Sequence, residues 1–262
     1  MTLVNGVETD RVPVTDRGLL YGDGLFETMR FDAAGCALWP LHMERLRRGC
    51  RRLEIPAPDG KVLESETQAC ARGGECMIRL SVTRGSGSRG YAPPANSEPT
   101  RIVQRFPLPA SDGKPLRLLV CETRLAGHPA LGTIKHLNRL ENVLAAAEVQ
   151  RGGCGEGLML DCSERIIEAT SANFFVVRGE TCLTPELEGT GVAGVFRAWL
   201  ADRVDLVVMD LGLGDLDPGD GLFLANAVTG IRPVGEVVGL GKFDVAAVAA
   251  FSAEVGTPWS GA

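Results

Sequence analysis

The sequence predicts an α+β protein built in two domains. Three observations carry this expectation. Leu3-Val4 and Val7 flank Asn5-Gly6, a two-residue turn pair, so the chain opens as a β-hairpin. Strand-like and helix-like segments are mixed through the rest of the 262 residues, a length that suits one large domain or two modest ones. Pro107 to Pro115 also holds Pro109 and an Asp112-Gly113 pair, and reads as an inter-domain linker. The expected division is a smaller N-terminal domain over 1–106, the linker over 107–115 and a larger domain over 116–262.

After the hairpin, the glycines of Gly22-Asp23-Gly24 suit a tight turn feeding a strand from Leu25 to Phe31. Leu41 to Leu53 reads as a basic amphipathic helix, and Val62 to Ala71 as a second helix. Strands near Met77–Val82 and Arg101–Phe106 follow, separated by a Gly/Ser/Pro-rich loop from Arg84 to Pro99. Beyond the linker, strands near Leu116–Glu122, Gly157–Leu160, Asn173–Val177 and Gly221–Leu224 are interleaved with helices beginning near Lys135, Val195 and Lys242.

Hydrophobic content of 45% supports a sizeable core, and 23% charged residues is ordinary for a soluble chain. A net charge of −6 disfavours a nucleic-acid-binding surface, yet leaves room for a small basic pocket that takes an anionic small molecule. The first residues lack the basic and apolar regions of a secretory signal. No apolar run approaches the roughly 20 residues that cross a bilayer. The expectation is a cytoplasmic protein with neither nucleic-acid nor membrane partner. None of the eight cysteines forms a CxxC pair or has a histidine at ligand spacing, so no metal site is expected. Buried or incidental thiols in a reducing compartment explain them.

Chemistry concentrates around Gly132-Thr133-Ile134-Lys135-His136-Leu137-Asn138-Arg139-Leu140-Glu141. Leu137, Leu140 and Leu144 recur at helical spacing, which places Lys135 just ahead of a helix. Apolar surroundings and the positive end of a helix dipole both disfavour an ammonium. A neutral amine forms Schiff bases and takes protons. The alternative is an ordinary solvent-facing lysine at a helix start.

Four further segments bear on a site. Alternation along the strand at 25–31 sends Phe26, Thr28 and Arg30 to one face, which either lines a pocket or is a half-exposed edge. Arg45 belongs to a basic cluster with Arg47, Arg48, Arg51 and Arg52. Most of these are expected to be solvated, although a guanidinium fork matches phosphate oxygens. Glu168 precedes the small residues Ala169 to Ala172, where it either pairs with a protonated ring nitrogen or sits on the surface after a turn. Gly189 to Val195 opens a helix and Asn226 to Gly230 follows a strand. Backbone N–H groups at such places suit anions. Taken alone, each reads first as a plain turn, since neither has a Walker lysine or GxGxxG spacing.

These residues, with Gly22-Asp23-Gly24 and Phe26 and with Arg84-Gly85-Ser86-Gly87-Ser88-Arg89-Gly90-Tyr91, resemble the fold-type IV class of pyridoxal-phosphate enzymes. Within that class they resemble the aminodeoxychorismate lyases, from Asn5-Gly6 to about Pro233-Val234. The resemblance implies a smaller N-terminal α/β domain and a larger C-terminal domain with a pseudo-barrel of strands. It implies a lyase that converts 4-amino-4-deoxychorismate to 4-aminobenzoate and pyruvate, in folate biosynthesis. A class IV aminotransferase acting on branched-chain or D-amino acids is the alternative. By the same resemblance Lys135 holds pyridoxal 5′-phosphate covalently, Glu168 bonds its ring nitrogen and Arg45 its phosphate. Gly194-Val195 and Ala227-Val228 form a backbone phosphate cradle. Lys135 and Thr28 are the catalytic pair. Arg89, Tyr91, Arg30, His136 and Arg139 are the candidates facing the substrate, and a homodimer is implied. Two departures stand out: Phe196 occupies a place where relatives often carry a hydroxyl, and Ala227 one where branched-chain transaminases carry threonine.

Overall fold

A computed structural model describes residues 1–259. The chain divides into two compact units. The first comprises 1–109, the segment 134–138 and the stretch from Pro258; the second comprises 110–133 and 139–257. The division at 109/110 falls inside the expected linker, but the segment carrying Lys135 groups with the first unit and not with 116–262.

In the first unit, Asn5 and Gly6 adopt φ of 50° and 82° and turn β1 (Thr2–Val4) into β2 (Val7–Glu8). A short helix α1 (Arg17–Tyr21) follows, and then β3 (Gly24–Phe31). Helix α2 (Trp39–Leu53) starts two residues before the expected Leu41, because Pro40 suits a first turn that has no use for its missing N–H. Helix α3 (Gly60–Ala71) is capped by the Asp59 side chain, which accepts from the Lys61 and Val62 amides. Strands β4 (Cys76–Thr83) and β5 (Thr100–Phe106) complete an antiparallel sheet of order β2-β1-β5-β4-β3. Its register sets Phe26 opposite Ser81 and Thr28 opposite Arg79. Leu25, Met29, Ile78, Leu80 and Val82 are fully buried on it.

The second unit contains β6 (Leu116–Val120), α4 (Leu140–Arg151), β7 (Glu156–Leu160), β8 (Ile166–Ala169), β9 (Asn173–Arg178), β10 (Thr181–Pro185), α5 (Val195–Ala201) and β11 (Leu206–Met209). It ends with β12 (Gly221–Asn226), β13 (Gly230–Val237), β14 (Gly241–Lys242) and α6 (Val245–Val255). The strand path β11-β10-β9-β12-β13-β6-β7-β8 is joined by a β8–β9 pairing, which closes six strands into a barrel. Leu118, Leu158, Leu160, Phe174, Val176, Leu222, Leu224 and Val234 fill it.

Two helix starts differ from expectation. The last helix begins at Val245 because Asp244 caps it, and Lys242 lies in β14. The larger correction concerns Lys135. The helix begins only at Leu140, so Lys135 is not at a helix N-terminus and gains nothing from its dipole. It lies on an extended segment beside β3. Helical spacing of Leu137 with Leu140 and Leu144 was coincidental at its first member, and Leu140, Val143 and Leu144 form an exposed apolar face.

All eight cysteines are free. Burial pushes the Cys182 thiol up to about 12, which leaves it inert at neutral pH.

Candidate active site

The first unit fixes Lys135 through its backbone. Leu25 and His136 form an antiparallel bridge; Phe26 N–H donates to the Lys135 carbonyl at 2.9 Å, and Leu137 N–H to the Gly24 carbonyl at 2.9 Å. The segment 134–138 thus extends the sheet past β3. Alternation puts the Lys135 side chain on the Phe26 and Thr28 face, and its Nζ lies 4.4 Å from the centre of the Phe26 ring. Lys135 and Thr28 are half-buried.

One functional group on this face was not singled out from sequence. Arg79 stands opposite Thr28, and its guanidinium carbon lies 4.0 Å from the Phe26 ring centre. It makes no salt bridge or hydrogen bond among the described residues, and burial pulls its pKa below the usual arginine range. A half-buried cation without a counter-ion, on the ring that also meets the lysine, is a place for an anion. The signal in the sequence was a lone charge in the apolar run Met77 to Val82.

Arg45 is buried, unlike Arg47, Arg51 and Arg52, which are exposed as expected. Its Nε donates to Glu27 Oε1 at 2.9 Å and its Nη2 to Glu27 Oε2. His42 Nδ1 shares the same Oε2 at 2.6 Å. Burial opposes ionisation of Glu27, but the Arg45 charge and the hydrogen bonds from Arg45 and His42 outweigh it and hold the carboxyl down at about 2. Burial also lowers the His42 pKa, against the pull of Glu27. The imidazole is therefore neutral and donates from Nδ1.

Of the candidates expected to face substrate, Arg30 pairs with Glu75 at 3.3 Å and stacks on Trp259 at 4.7 Å. His136 is half-buried beside Leu25. Arg89 and Tyr91 are exposed. Their loop is held by the buried Arg17, which donates to the carbonyls of Gly90 (3.0 Å) and Tyr91 (2.7 Å) and to Asp23 (2.9 Å).

In the second unit Glu168 is only 4% exposed, not a surface residue, and its Oε2 accepts the Val192 amide at 2.8 Å. Arg139 sits at the N-cap of α4. Gly194 is the N-cap of α5 and no side chain caps that end. A Cβ at 194 would stand 1.8 Å from Asn173 Oδ1, so the approach needs glycine. The amide of Val228 donates to Asn226 Oδ1 at 2.9 Å, as does that of Thr229. The 226–230 turn is thus closed by its own asparagine. Phe196 is fully buried, 4.9 Å from Trp199 between ring centres.

Comparison with known proteins gives the family. The family model for amino-transferase class IV matches residues 24–237. The chain is 35% identical over 244 residues to the aminodeoxychorismate lyase of Vibrio harveyi, covering 89% of this chain and 90% of that one. The crystal structure of 4-amino-4-deoxychorismate lyase from Pseudomonas aeruginosa superposes with a TM-score of 0.89 at 41% identity, over 97% of this chain and 99% of that one. A hypothetical aminotransferase from Mycobacterium tuberculosis in its PLP-bound form shares the fold at a TM-score of 0.81 and 21% identity, over 97% of each chain. The chain belongs to the amino-transferase class IV family.

Proposed function

We propose that the protein is a pyridoxal-phosphate-dependent lyase that converts 4-amino-4-deoxychorismate to 4-aminobenzoate and pyruvate, a step toward folate. The observation that carries this best is the relation to lyases of that name, at 35% identity in one case and 41% in another. The residues fit the cofactor. Lys135 offers an amine against an aromatic face, Glu168 is a buried carboxylate, and α5 opens on a glycine with no side-chain cap. In this reading Lys135 holds the cofactor aldehyde, Glu168 keeps a proton on the ring nitrogen, and Arg45 with the amides at Gly194-Val195 and Ala227 meets the phosphate. The Val228 amide contributes less, since Asn226 already takes it.

The bound cofactor supplies an electron sink. The protein's own part is proton handling and positioning. Lys135 Nζ would be the base that takes the proton from the amine-bearing carbon of the substrate. Lys135, or Thr28 Oγ1 through a water, then protonates the departing enolpyruvyl oxygen. The substrate carries two carboxylates. Arg79 is the cation best placed for one, in preference to Arg30, whose guanidinium is engaged with Glu75 and Trp259. Arg89 is the candidate for the other, and the resemblance assigns the same role to Tyr91, His136 and Arg139.

A homodimer is part of the same reading, supported by the exposed Leu140, Val143 and Leu144 face. Eight free thiols suit a reducing cytoplasm. Among the described residues no helix is long and apolar enough to cross a membrane.

Incubating the purified protein with aminodeoxychorismate tests the proposal. Equal amounts of 4-aminobenzoate and pyruvate are expected, abolished in Lys135→Ala. Amino-group transfer to 2-oxoglutarate without 4-aminobenzoate would instead establish the class IV aminotransferase.

A further inference from the structure

Among the arginines of α2, Arg45 is both buried and clamped by a carboxylate from the sheet. Glu27, His42 and Arg45 are 1%, 0% and 7% exposed. Such a buried ionic cluster is a poor way to stabilise a core, because desolvation cancels most of the attraction and apolar residues of similar volume do as well. Its presence between α2 and β3 calls for another purpose. Glu27 lies between Phe26 and Thr28, so the strand whose opposite face meets Lys135 also anchors the cluster. One carboxylate receives three donors: Arg45 Nε on Oε1, and Arg45 Nη2 and His42 Nδ1 on Oε2. Among the described residues, buried His42 Nε2 has no hydrogen-bond partner. The imidazole thus acts only through Nδ1, as a brace on Glu27. His42 and Arg45 are three residues apart on one helix face, so brace and guanidinium share a rigid support.

We propose that Glu27 and His42 are positioning residues that pre-set the Arg45 guanidinium for the phosphate of the cofactor. This rests on the reading of Arg45 as a phosphate ligand given above. A free arginine side chain gives up its rotamer freedom when it orders on a ligand. A guanidinium already held by a carboxylate fork has lost that freedom before the phosphate arrives. The competing account is charge balance alone. The two accounts differ in sign: Glu27 is an anion and repels a phosphate, so removing its charge tightens phosphate binding unless positioning matters more.

The test compares the affinity of the apoprotein, freed of bound cofactor, for pyridoxal phosphate and for pyridoxal, which lacks the phosphate. It is read by the absorbance of the lysine-bound aldehyde and by tryptophan fluorescence, not by turnover. Arg45→Ala is expected to abolish most of the preference for the phosphorylated form. Glu27→Gln and His42→Leu are expected to reduce that preference about tenfold, the equivalent of 1.4 kcal/mol, while pyridoxal binds nearly as before. His42→Asn, whose amide N–H can replace Nδ1–H, is expected to restore it. If Arg45→Ala removes the preference but Glu27→Gln and His42→Leu leave it unchanged or raise it, the positioning role is wrong and the ligand role stands. If Arg45→Ala leaves the preference intact, Arg45 is not the phosphate ligand and both ideas fall. Should Glu27→Gln not fold, the His42→Leu and His42→Asn pair decides alone.

Discussion

Gly132 is a position where a single methyl group is expected to do severe damage without touching a catalytic residue. A Cβ built there stands 2.2 Å from the Gly189 carbonyl carbon, 2.6 Å from Gly189 Cα and 2.6 Å from the Thr190 nitrogen. All three are backbone atoms, so no side chain can swing aside. Restoring ordinary carbon contacts of about 3.5 Å requires the 128–133 and 189–193 segments to part by roughly 1 Å. That strains the bonds joining them: His128 N to Gly189 O, Thr133 N to Gly191 O at 3.1 Å, and Ala193 N to Thr133 O at 3.0 Å. Overpacking costs about 1–3 kcal/mol, and a lost hydrogen bond adds about 1 kcal/mol net. A total near 3 kcal/mol lowers the melting temperature by roughly 6–12 °C in a chain of this size. Gly132→Ala is to be melted beside Gly219→Ala, whose Cβ meets nothing within 4 Å. A Gly132→Ala transition within about 1 °C of wild type would show that the two segments are not in the contact described.

The neighbouring Thr133 is a β-branched residue at φ 68°, a strained conformation worth about 1–3 kcal/mol. Relieving it outweighs the added backbone entropy of glycine, so Thr133→Gly is expected to raise the melting midpoint by a few degrees; a fall would refute the strain. Removing the unpaired cation in Arg79→Gln is expected to raise KM for aminodeoxychorismate about tenfold or more, equivalent to at least 1.4 kcal/mol, with the cofactor absorbance unchanged; an unaltered KM removes Arg79 from the substrate site. Acid stability follows from the buried cluster. His42 and Glu27 both have native pKa values below their unfolded ones, so their stabilisation is complete above pH 6.5 and declines as pH falls. The Glu27 share, about 3 kcal/mol at 1.36 kcal/mol per unit, is lost between pH 4.5 and about 2. Denaturant titrations at pH 7, 5 and 3.5 measure this, and a Glu27→Gln protein whose stability falls as steeply as wild type over that range would contradict it.

The hairpin, both long helices of the first unit and its strands were legible because each follows from local chemistry: a turn pair, an apolar stripe, or a run bounded by glycine and proline. The barrel was not legible in the same way. Of its six strands, β8 has four residues and β13 carries Arg232, Pro233 and Gly235, so neither shows a clean period. They are strands because neighbours pair with them, not because of what they contain. The same limit governed the site. Lys135, Glu168 and Arg45 could be picked out, but Arg79 and Glu27 read as stray charges in apolar strands. Only the strand register that sets Arg79 opposite Thr28, and the packing of α2 on β3 that brings Arg45 to Glu27, show what surrounds them.

Placing Lys135 on a strand edge changes how its reactivity has to be explained. At a helix start its amine would owe its chemistry to a dipole that fades within one turn. Beside β3, the main chain is instead held on both sides by hydrogen bonds at Phe26 and Gly24, and the side chain lies over Phe26. Position comes from the sheet, and environment from whatever else that face carries, namely Thr28 and the Arg79 cation. Within the second unit, glycine at 132 permits the close approach to Gly189; within the first, residues 135–137 pair with Gly24 to Phe26. Backbone pairing by Gly24, Phe26 and Leu137, which have no chemistry of their own, therefore determines where this amine sits on the sheet. A side chain at Gly24, whose Cβ would stand 2.6 Å from the Val82 carbonyl oxygen and 2.8 Å from Leu137, should then disturb the lysine-bound absorbance more than substitutions at the exposed Leu140 or Leu144, which contribute nothing to that pairing.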